Sequence, residues 1–261
     1  MKISIITVTC NAETTIENSI KSVVNQTYPD IEYIIIDGAS TDKTFDIIQK
    51  YNDKLAYFIS EPDNGIFNAM NKGIKVSTGD VLYFLNANDY LFDEKIIENA
   101  ISFLKKTKAK IIFGDMSFIE ENGQEKERRI YSDVDKLFFI NECICHQGIF
   151  YKREIFDKCG LYDENYKLTA DYNLNVKAII EKKMEIKYFP KTIAKFTLGG
   201  QSNSTNEELK KLAAMEKQKI ISLYYKSYQM RLNLILNKTF RSIARNPKLR
   251  KIAGKILGFS L

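Results

Sequence analysis

The chain has 261 residues, 44% of them hydrophobic and 28% charged, which excludes disordered, collagen-like and disulfide-stapled classes. No run of about 18 uncharged apolar residues occurs, so nothing reads as membrane-spanning, and Met1-Lys2 followed by Ile3 to Val8 reads as a buried strand rather than a signal peptide. The net charge of +6 is uneven, because residues 206–261 carry 13 Lys+Arg and 3 Asp+Glu. A mildly acidic body with a basic tail excludes whole-surface nucleic-acid binding and places the attraction for anions in the tail.

The first 120 residues alternate between short apolar runs and helical patterns. Ile3–Thr9 predicts a strand, then Thr14–Asn25 a helix with Ile16, Ile20, Val23 and Val24 on one face. Ile31–Ile36 predicts the second strand, and Thr41–Tyr51 a helix capped by Thr41. A strand over Leu55–Ile59, a helix over Gly65–Val76, a strand over Val81–Leu85, a helix over Asp93–Lys105 and a strand at Ile111–Phe113 complete the series. Strands separated by helices predict βαβ units, a mainly parallel central sheet flanked by helices, and a ligand site at the strand C-termini.

The rhythm then changes. Phe118–Ile119 and Arg128–Tyr131 flank Asn122-Gly123 and predict a hairpin. Asp133–Ile140 predicts a short helix and Thr169–Glu181 a longer one, while Ile186–Phe189 and Thr192–Thr197 predict two strands paired around Pro190. Residues 1–205 form one domain, and residues 206–261 a basic amphipathic helical tail. Four cysteines, at 10, 143, 145 and 159, suit a reducing compartment. The spacing of Cys143, Cys145 and His146 fits no standard zinc module, and His146 is the sole histidine.

Four predicted strand ends carry small, hydrogen-bonding or acidic residues: Thr9-Cys10-Asn11, Asp37-Gly38-Ala39-Ser40, Glu61-Pro62-Asp63-Asn64 and Asn86-Ala87-Asn88-Asp89. Each alone suits ordinary turn chemistry; together on one edge they predict a polar ligand site. Neither G-x-G-x-x-G nor G-x-x-x-x-G-K-[ST] occurs, so a Rossmann dehydrogenase or P-loop enzyme is unsupported. The phosphates of a bound nucleotide would then call for an oxygen-bound divalent metal, with Asn86–Asp89 as its best place.

Thr7-Val8-Thr9-Cys10-Asn11, Ser22 to Tyr28 and Ile36-Asp37-Gly38-Ala39-Ser40-Thr41-Asp42 resemble the opening motifs of family-2 glycosyltransferases with the GT-A fold. Glu61 to Gly73, His146-Gln147-Gly148, Ala170-Asp171-Tyr172 and Phe196 to Ser202 are similar to the branch near colanic-acid and exopolysaccharide enzymes. The resemblance covers roughly residues 1–205, with 1–115 as the nucleotide-sugar half and 116–205 as the acceptor and catalytic half. It implies that Thr9, Asn11, Asp37, Asp63, Lys72, Asn86 and Asn88 bind the donor. His146 and Gln147 would border the acceptor or the diphosphate, and Asp171 would be the general base. The family's Asp-x-Asp motif reads Asn86-Ala87-Asn88 here, which leaves Asp89, with Asn88, to hold Mn²⁺ or Mg²⁺.

The resemblance thus implies an inverting transferase that moves a sugar from a nucleotide-sugar, expected to be a UDP-sugar, to a lipid-linked saccharide in bacterial surface polysaccharide synthesis. The tail, with 11 basic and no acidic residues after Glu216, reads as an anionic-membrane anchor, giving a cytoplasmic, peripheral protein. Packing of that helix on the body, or in a homodimer, is the competing reading. The rival function is a catalytically silent nucleotide- or sugar-binding subunit recruited to the membrane, for which the two asparagines are the best argument.

Overall fold

In the computed structural model, residues 1–119, 125–128, 138–197 and 206–225 are described. The strands are β1 (Ile3–Thr9), β2 (Ile31–Asp37), β3 (Tyr57–Ser60), β4 (Val81–Asn86), β5 (Tyr90–Leu91), β6 (Ile111–Ile119), β7 (Glu125–Arg128), β8 (Ile149–Lys152) and β9 (Ile186–Thr197). The helices are α1 (Ile16–Val24), α2 (Thr44–Gln49), α3 (Ile66–Val76), α4 (Ile96–Lys105), α5 (Phe138–Asn141), α6 (Glu154–Cys159), α7 (Ala170–Val176) and α8 (Glu207–Tyr224). One mixed sheet runs β3-β2-β1-β4-β8-β6-β9-β5, with β7 paired to β6.

Strands β3, β2, β1 and β4 are parallel neighbours. Parallel strands joined by crossover helices are covered on both faces, so they read as unbroken apolar runs. All seven residues of β1 are buried. Its side chains divide between two cores: Ile6 and Val8 meet Phe67 and Met70 of α3, while Ile3 and Ile5 lie with Ile16 and Ile20 of α1 and Ile97 and Ile101 of α4. This doubly covered block sets the ends of four strands at one edge.

Beyond β4 the sheet departs from the alternation. Strand β8 is antiparallel to both β4 and β6, and neither β8 nor α6 stands out in the sequence. Residues 186–197 form one strand, β9, parallel to β6, rather than two strands paired around Pro190. Between Phe113↔Tyr188 and Asp115↔Thr192 the register shifts. Proline has no N–H to give a ladder, and a bulge absorbs it without ending the strand. Gly114 sits opposite this bulge, where a Cβ would come 2.5 Å from the Lys191 carbonyl oxygen.

Strand β7 pairs antiparallel with β6, Phe118↔Lys126 and Ile119↔Glu125, but it spans Glu125–Arg128 rather than the expected Arg128–Tyr131; Asn122-Gly123 lies outside the described residues. The short helix predicted from Asp133 is described only over α5. Helix α7 passes into a π-helical turn, Lys177–Glu181, within the long helix predicted there. Helix α8 packs on the body, because Ile220, Ile221 and Tyr225 are buried in the same core as Ala170, Tyr172 and Ile155. Residues 226–261, most of the predicted tail, lie outside the described residues. No helix among the described residues is long and apolar enough to cross a membrane.

At the edge opposite the strand C-termini, Glu32 ties three segments together. It accepts hydrogen bonds from Lys2 Nζ (2.7 Å), Ser4 Oγ (2.5 Å), Thr78 N (2.7 Å) and Thr78 Oγ1 (2.6 Å). Burial pushes its carboxyl up, but the bonds from Lys2, Ser4 and Thr78 outweigh burial and hold it at about 2, below the ordinary 4.5. A depressed carboxyl stabilises the fold above its unfolded value and loses that contribution as pH falls through the folded one. Wild type should therefore exceed Glu32→Gln in urea midpoint at neutral pH, with the gap closing between 4.5 and about 2. A gap unchanged across that interval would refute the assignment.

Candidate functional site

The first group of predicted residues lies at the ends of β1, β2 and β3. Thr9 is buried, and its Oγ1 has no hydrogen-bond partner in the fold, an uncommon state for a buried hydroxyl. Asn11 has φ of 50°, a left-handed conformation that asparagine tolerates. Its Oδ1 accepts from Thr41 N (2.8 Å) and its own N–H donates to Ser40 Oγ (2.8 Å), which folds the β2 loop against β1.

Asp37 is fully buried and accepts from the Ser40 hydroxyl, from Ser40 N (3.0 Å) and from the Ser60 hydroxyl. Its carboxylate organises the loop. Ser40 belongs to the strand-end motif that begins at Asp37, whereas Ser60 carries no sequence signal beyond its place at a strand end.

Asp63 is the more open carboxylate. Its Oδ1 accepts from Gly65 N at 2.8 Å, while Oδ2 lies over Gly38, where a Cβ would stand 2.5 Å from that oxygen and 3.4 Å from the Cys10 Cβ. The absent side chain at Gly38 leaves room for the carboxylate. Burial pushes the exposed Cys10 thiol up, and the charges of Asp37, Asp63 and Asp42 push it further. This corner is electronegative and suited to N–H and O–H donors, such as a base or a ribose, rather than to phosphate.

Lys72, on α3, forms an ion pair with Glu61 (2.7 Å) and donates to the Pro62 carbonyl (2.8 Å). A phosphate would compete with Glu61 for its charge.

The second group gathers where β4 ends. The His146–Gly148 turn presents His146 Nε2 at 3.3 Å from Asn86 Oδ1 and Nδ1 at 3.4 Å from Asp171 Oδ2. Both distances are at the loose end of hydrogen bonding, and as a neutral ring His146 donates to only one of these oxygens. Asp171, in the first turn of α7, also accepts from Tyr172 N at 2.7 Å. Gln147 Nε2 donates to Asp89 Oδ2 at 2.9 Å, and Tyr83 Oη donates to the Gln147 carbonyl at 2.7 Å. Residues more than 80 positions apart, Asn86 and Asp171, are thus joined through one imidazole. Tyr83 carries no sequence signal beyond its place in a strand, yet its hydroxyl fastens the turn.

The residues expected to hold a divalent ion fit one poorly. Asp89 is 1% exposed and its carboxylate is turned to Gln147. Asn88 Oδ1 accepts from Thr15 Oγ1 at 2.7 Å, and Ser19 Oγ donates to the backbone carbonyls of Ala87 and Asp89 at 2.7 and 2.6 Å. No group of three His, Cys, Asp or Glu among the described residues is placed to hold a metal. One buried carboxylate with amide neighbours provides less charge than Mg²⁺ or Mn²⁺ usually finds.

Comparison with known proteins follows the same lines. The Glycosyl transferase family 2 profile matches residues 4–160. The chain is 31% identical over 216 residues to a PGL/p-HBAD biosynthesis glycosyltransferase of Mycobacterium bovis, covering 80% of this chain and 83% of that protein. It is 31% identical over 182 residues to an uncharacterized glycosyltransferase of Rickettsia typhi, covering 66% and 57%. Among solved structures, S. aureus TarS 1-349 in complex with UDP superposes with a TM-score of 0.65 at 21% identity, covering 86% of this chain and 70% of that one. The mannosyltransferase PcManGT from Pyrobaculum calidifontis, in complex with GDP-Man and Mn²⁺, superposes at 0.61 and 14% identity, covering 99% and 84%.

The placement of Asp63 over Gly38 has a chemical readout at Cys10. Removing a carboxylate that raises a thiol's pKa increases the thiolate fraction. Asp63→Asn should speed alkylation of Cys10 by iodoacetamide at pH 8, with burial and the charges of Asp37 and Asp42 still holding the thiol up, measured by peptide mass spectrometry. An unchanged rate at Cys10 would place that carboxylate elsewhere.

Proposed function

Because the chain belongs to glycosyl transferase family 2 and has the GT-A fold, we propose that it moves a sugar from a UDP-sugar onto a lipid-linked saccharide, with inversion, in bacterial surface polysaccharide synthesis. The observation that carries this reading is the meeting of Asn86, His146 and Asp171 at the edge that also bears Thr9 and Asp63. A donor lying across that edge has its base and ribose against the β1–β3 ends and its reacting carbon near Asp171. The complexes of TarS with UDP and with UDP-GlcNAc support UDP as the nucleotide; that of PcManGT with GDP-Man makes guanosine the alternative.

In this reading Asp171 accepts the proton of an acceptor hydroxyl. The resulting oxygen forms the bond to the anomeric carbon as the bond to the diphosphate breaks on the opposite side. One carboxylate suffices for such a single displacement, and positioned proton transfer contributes about 10²–10⁴-fold. His146 orients Asp171 through Nδ1 and borders the leaving diphosphate. The unpartnered Thr9 hydroxyl and the Asp63 carboxylate receive polar groups of the nucleoside, and Asn11 keeps the loop around them in place. Asn88 and Asp89, turned to Thr15 and Gln147, offer at most one carboxylate to a divalent ion, whose other ligands would have to be water and the substrate's phosphates.

The rival is a silent nucleotide-binding subunit, favoured by the amides Asn86 and Asn88. Both readings predict that UDP raises the melting temperature, and the poor cation site predicts that the rise persists in EDTA. They part on turnover. With the UDP-sugar that is consumed, Asp171→Asn should lose about 10²–10⁴-fold in transfer while its UDP-induced thermal shift is kept. Wild-type turnover in Asp171→Asn removes Asp171 as base, and absence of turnover in the wild type across UDP-sugars favours the silent subunit.

The proposed location is the cytoplasmic membrane surface, reached through the basic residues after Tyr225. In the described part of the tail, α8 is committed to the body, so the anchor must lie beyond it. The full chain should float with phosphatidylglycerol vesicles, and a chain ending at Tyr225 should stay in the soluble fraction. Flotation of the shortened chain would refute the tail as anchor.

A further inference from the structure

Glu216, on α8, is the last acidic residue of the chain and is buried. A buried carboxylate requires partners, and here they all come from one loop. Glu216 accepts from Lys167 N at 2.7 Å, Leu168 N at 3.1 Å and Thr169 Oγ1 at 2.9 Å. Those residues lead directly into α7. Thr169 stands just before the helix without using its side chain as a cap, since that hydroxyl is given to Glu216. One residue further along α8, the Lys217 ammonium lies 5.2 Å from the centre of the Tyr172 ring. Residues 169 and 172 are therefore held from the same helix, with Asp171 between them.

We propose that Glu216 is a positioning residue for the transfer reaction: it fixes the 167–169 loop and so sets the Asp171 carboxylate against His146. The inference rests on the reading of Asp171 as general base, and it makes α8 a working part of the catalytic half. The carboxylate bonds to backbone N–H groups are charge-assisted and directional, so their loss lets the start of α7 turn. Asp171 Oδ2 stands 3.4 Å from His146 Nδ1, so a displacement of about 1 Å breaks that contact, and errors of this size can cost about a hundredfold in rate.

The chain's single histidine gives a direct readout. One imidazole Cε1–H resonance reports the contact with Asp171 without any assignment problem or substrate. Asp171→Asn fixes where that resonance goes when the carboxylate is lost. The near-isosteric Glu216→Gln, and Thr169→Val at the other end of the bond, should each move it in the same direction at a fixed pH. In the same variants kcat for UDP-sugar turnover should fall about tenfold to a hundredfold, with UDP affinity by calorimetry within about twofold of wild type, a change below 1 kcal/mol. The Glu216→Gln/Thr169→Val double variant should be less impaired than the product of the singles, because both remove one interaction.

A His146 resonance at its wild-type position in both single variants overturns the proposal, as does a parallel loss of UDP affinity, which marks a general loss of structure. Full turnover in Asp171→Asn removes the base reading alone, because the resonance in the Glu216 variant still reports whether Asp171 has moved.

Discussion

The contact on which the proposed chemistry depends is the His146 ring, held between Asn86 at the end of β4 and Asp171 at the start of α7. Nothing else described joins those two side chains. In the proposed reading the strand ends of the parallel block β3-β2-β1-β4 receive the nucleoside, but the group that would activate an acceptor comes from a segment 85 positions further along the chain. The turn carrying His146 is fastened twice to the β4 side, by Tyr83 and by Asp89 through Gln147. A ring fixed in this way gives Asp171 a reference point, and the loose distances leave room to tighten when substrate arrives.

That arrangement also explains how the site's carboxylates divide their roles. Asp37 is fully buried with three donors around it, so it shapes the β2 loop. Asp89 is equally buried and anchors Gln147. Asp63 is only partly buried, with Oδ2 over Gly38, and Asp171, though buried, turns Oδ2 to His146. In the proposed reading the first has a binding role and the second a proton-accepting one. Asn86 and Asn88, where the family motif has acids, add no charge, and their oxygens face His146 and Thr15.

The sequence makes much of the first half legible, because both faces of a parallel sheet must be covered and the period of each segment then shows directly. Predicted boundaries such as Val81–Leu85 fall within a residue of the strand. The second half is harder to read. Strand β8 is only four residues long, and β9 runs through Pro190 because a bulge opposite Gly114 absorbs the missing donor. Such compensations are tertiary and have no local signature. Among site residues, motif matching pointed to Asp171 and His146 separately, but their pairing and the burial of Asp37 required the fold.

The tail shows the same limit most clearly. By composition it is a run of cations with an apolar face, and interfacial binding follows naturally from that alone. Of the three acids on α8, Glu207 and Glu208 are exposed, and in a purely interfacial helix Glu216 would sit at the polar surface as well. Instead it is buried against the loop before Asp171, with Ile220, Ile221 and Tyr225 continuing into the core. A helix docked through a buried carboxylate and three core side chains is not free to lie flat on a bilayer. Membrane attachment, if it acts through this chain's C-terminal residues, must begin after that helix. Any pull on the anchor would then reach Tyr225, Ile221 and Ile220 first and, through α8, Glu216 and the loop that leads to Asp171.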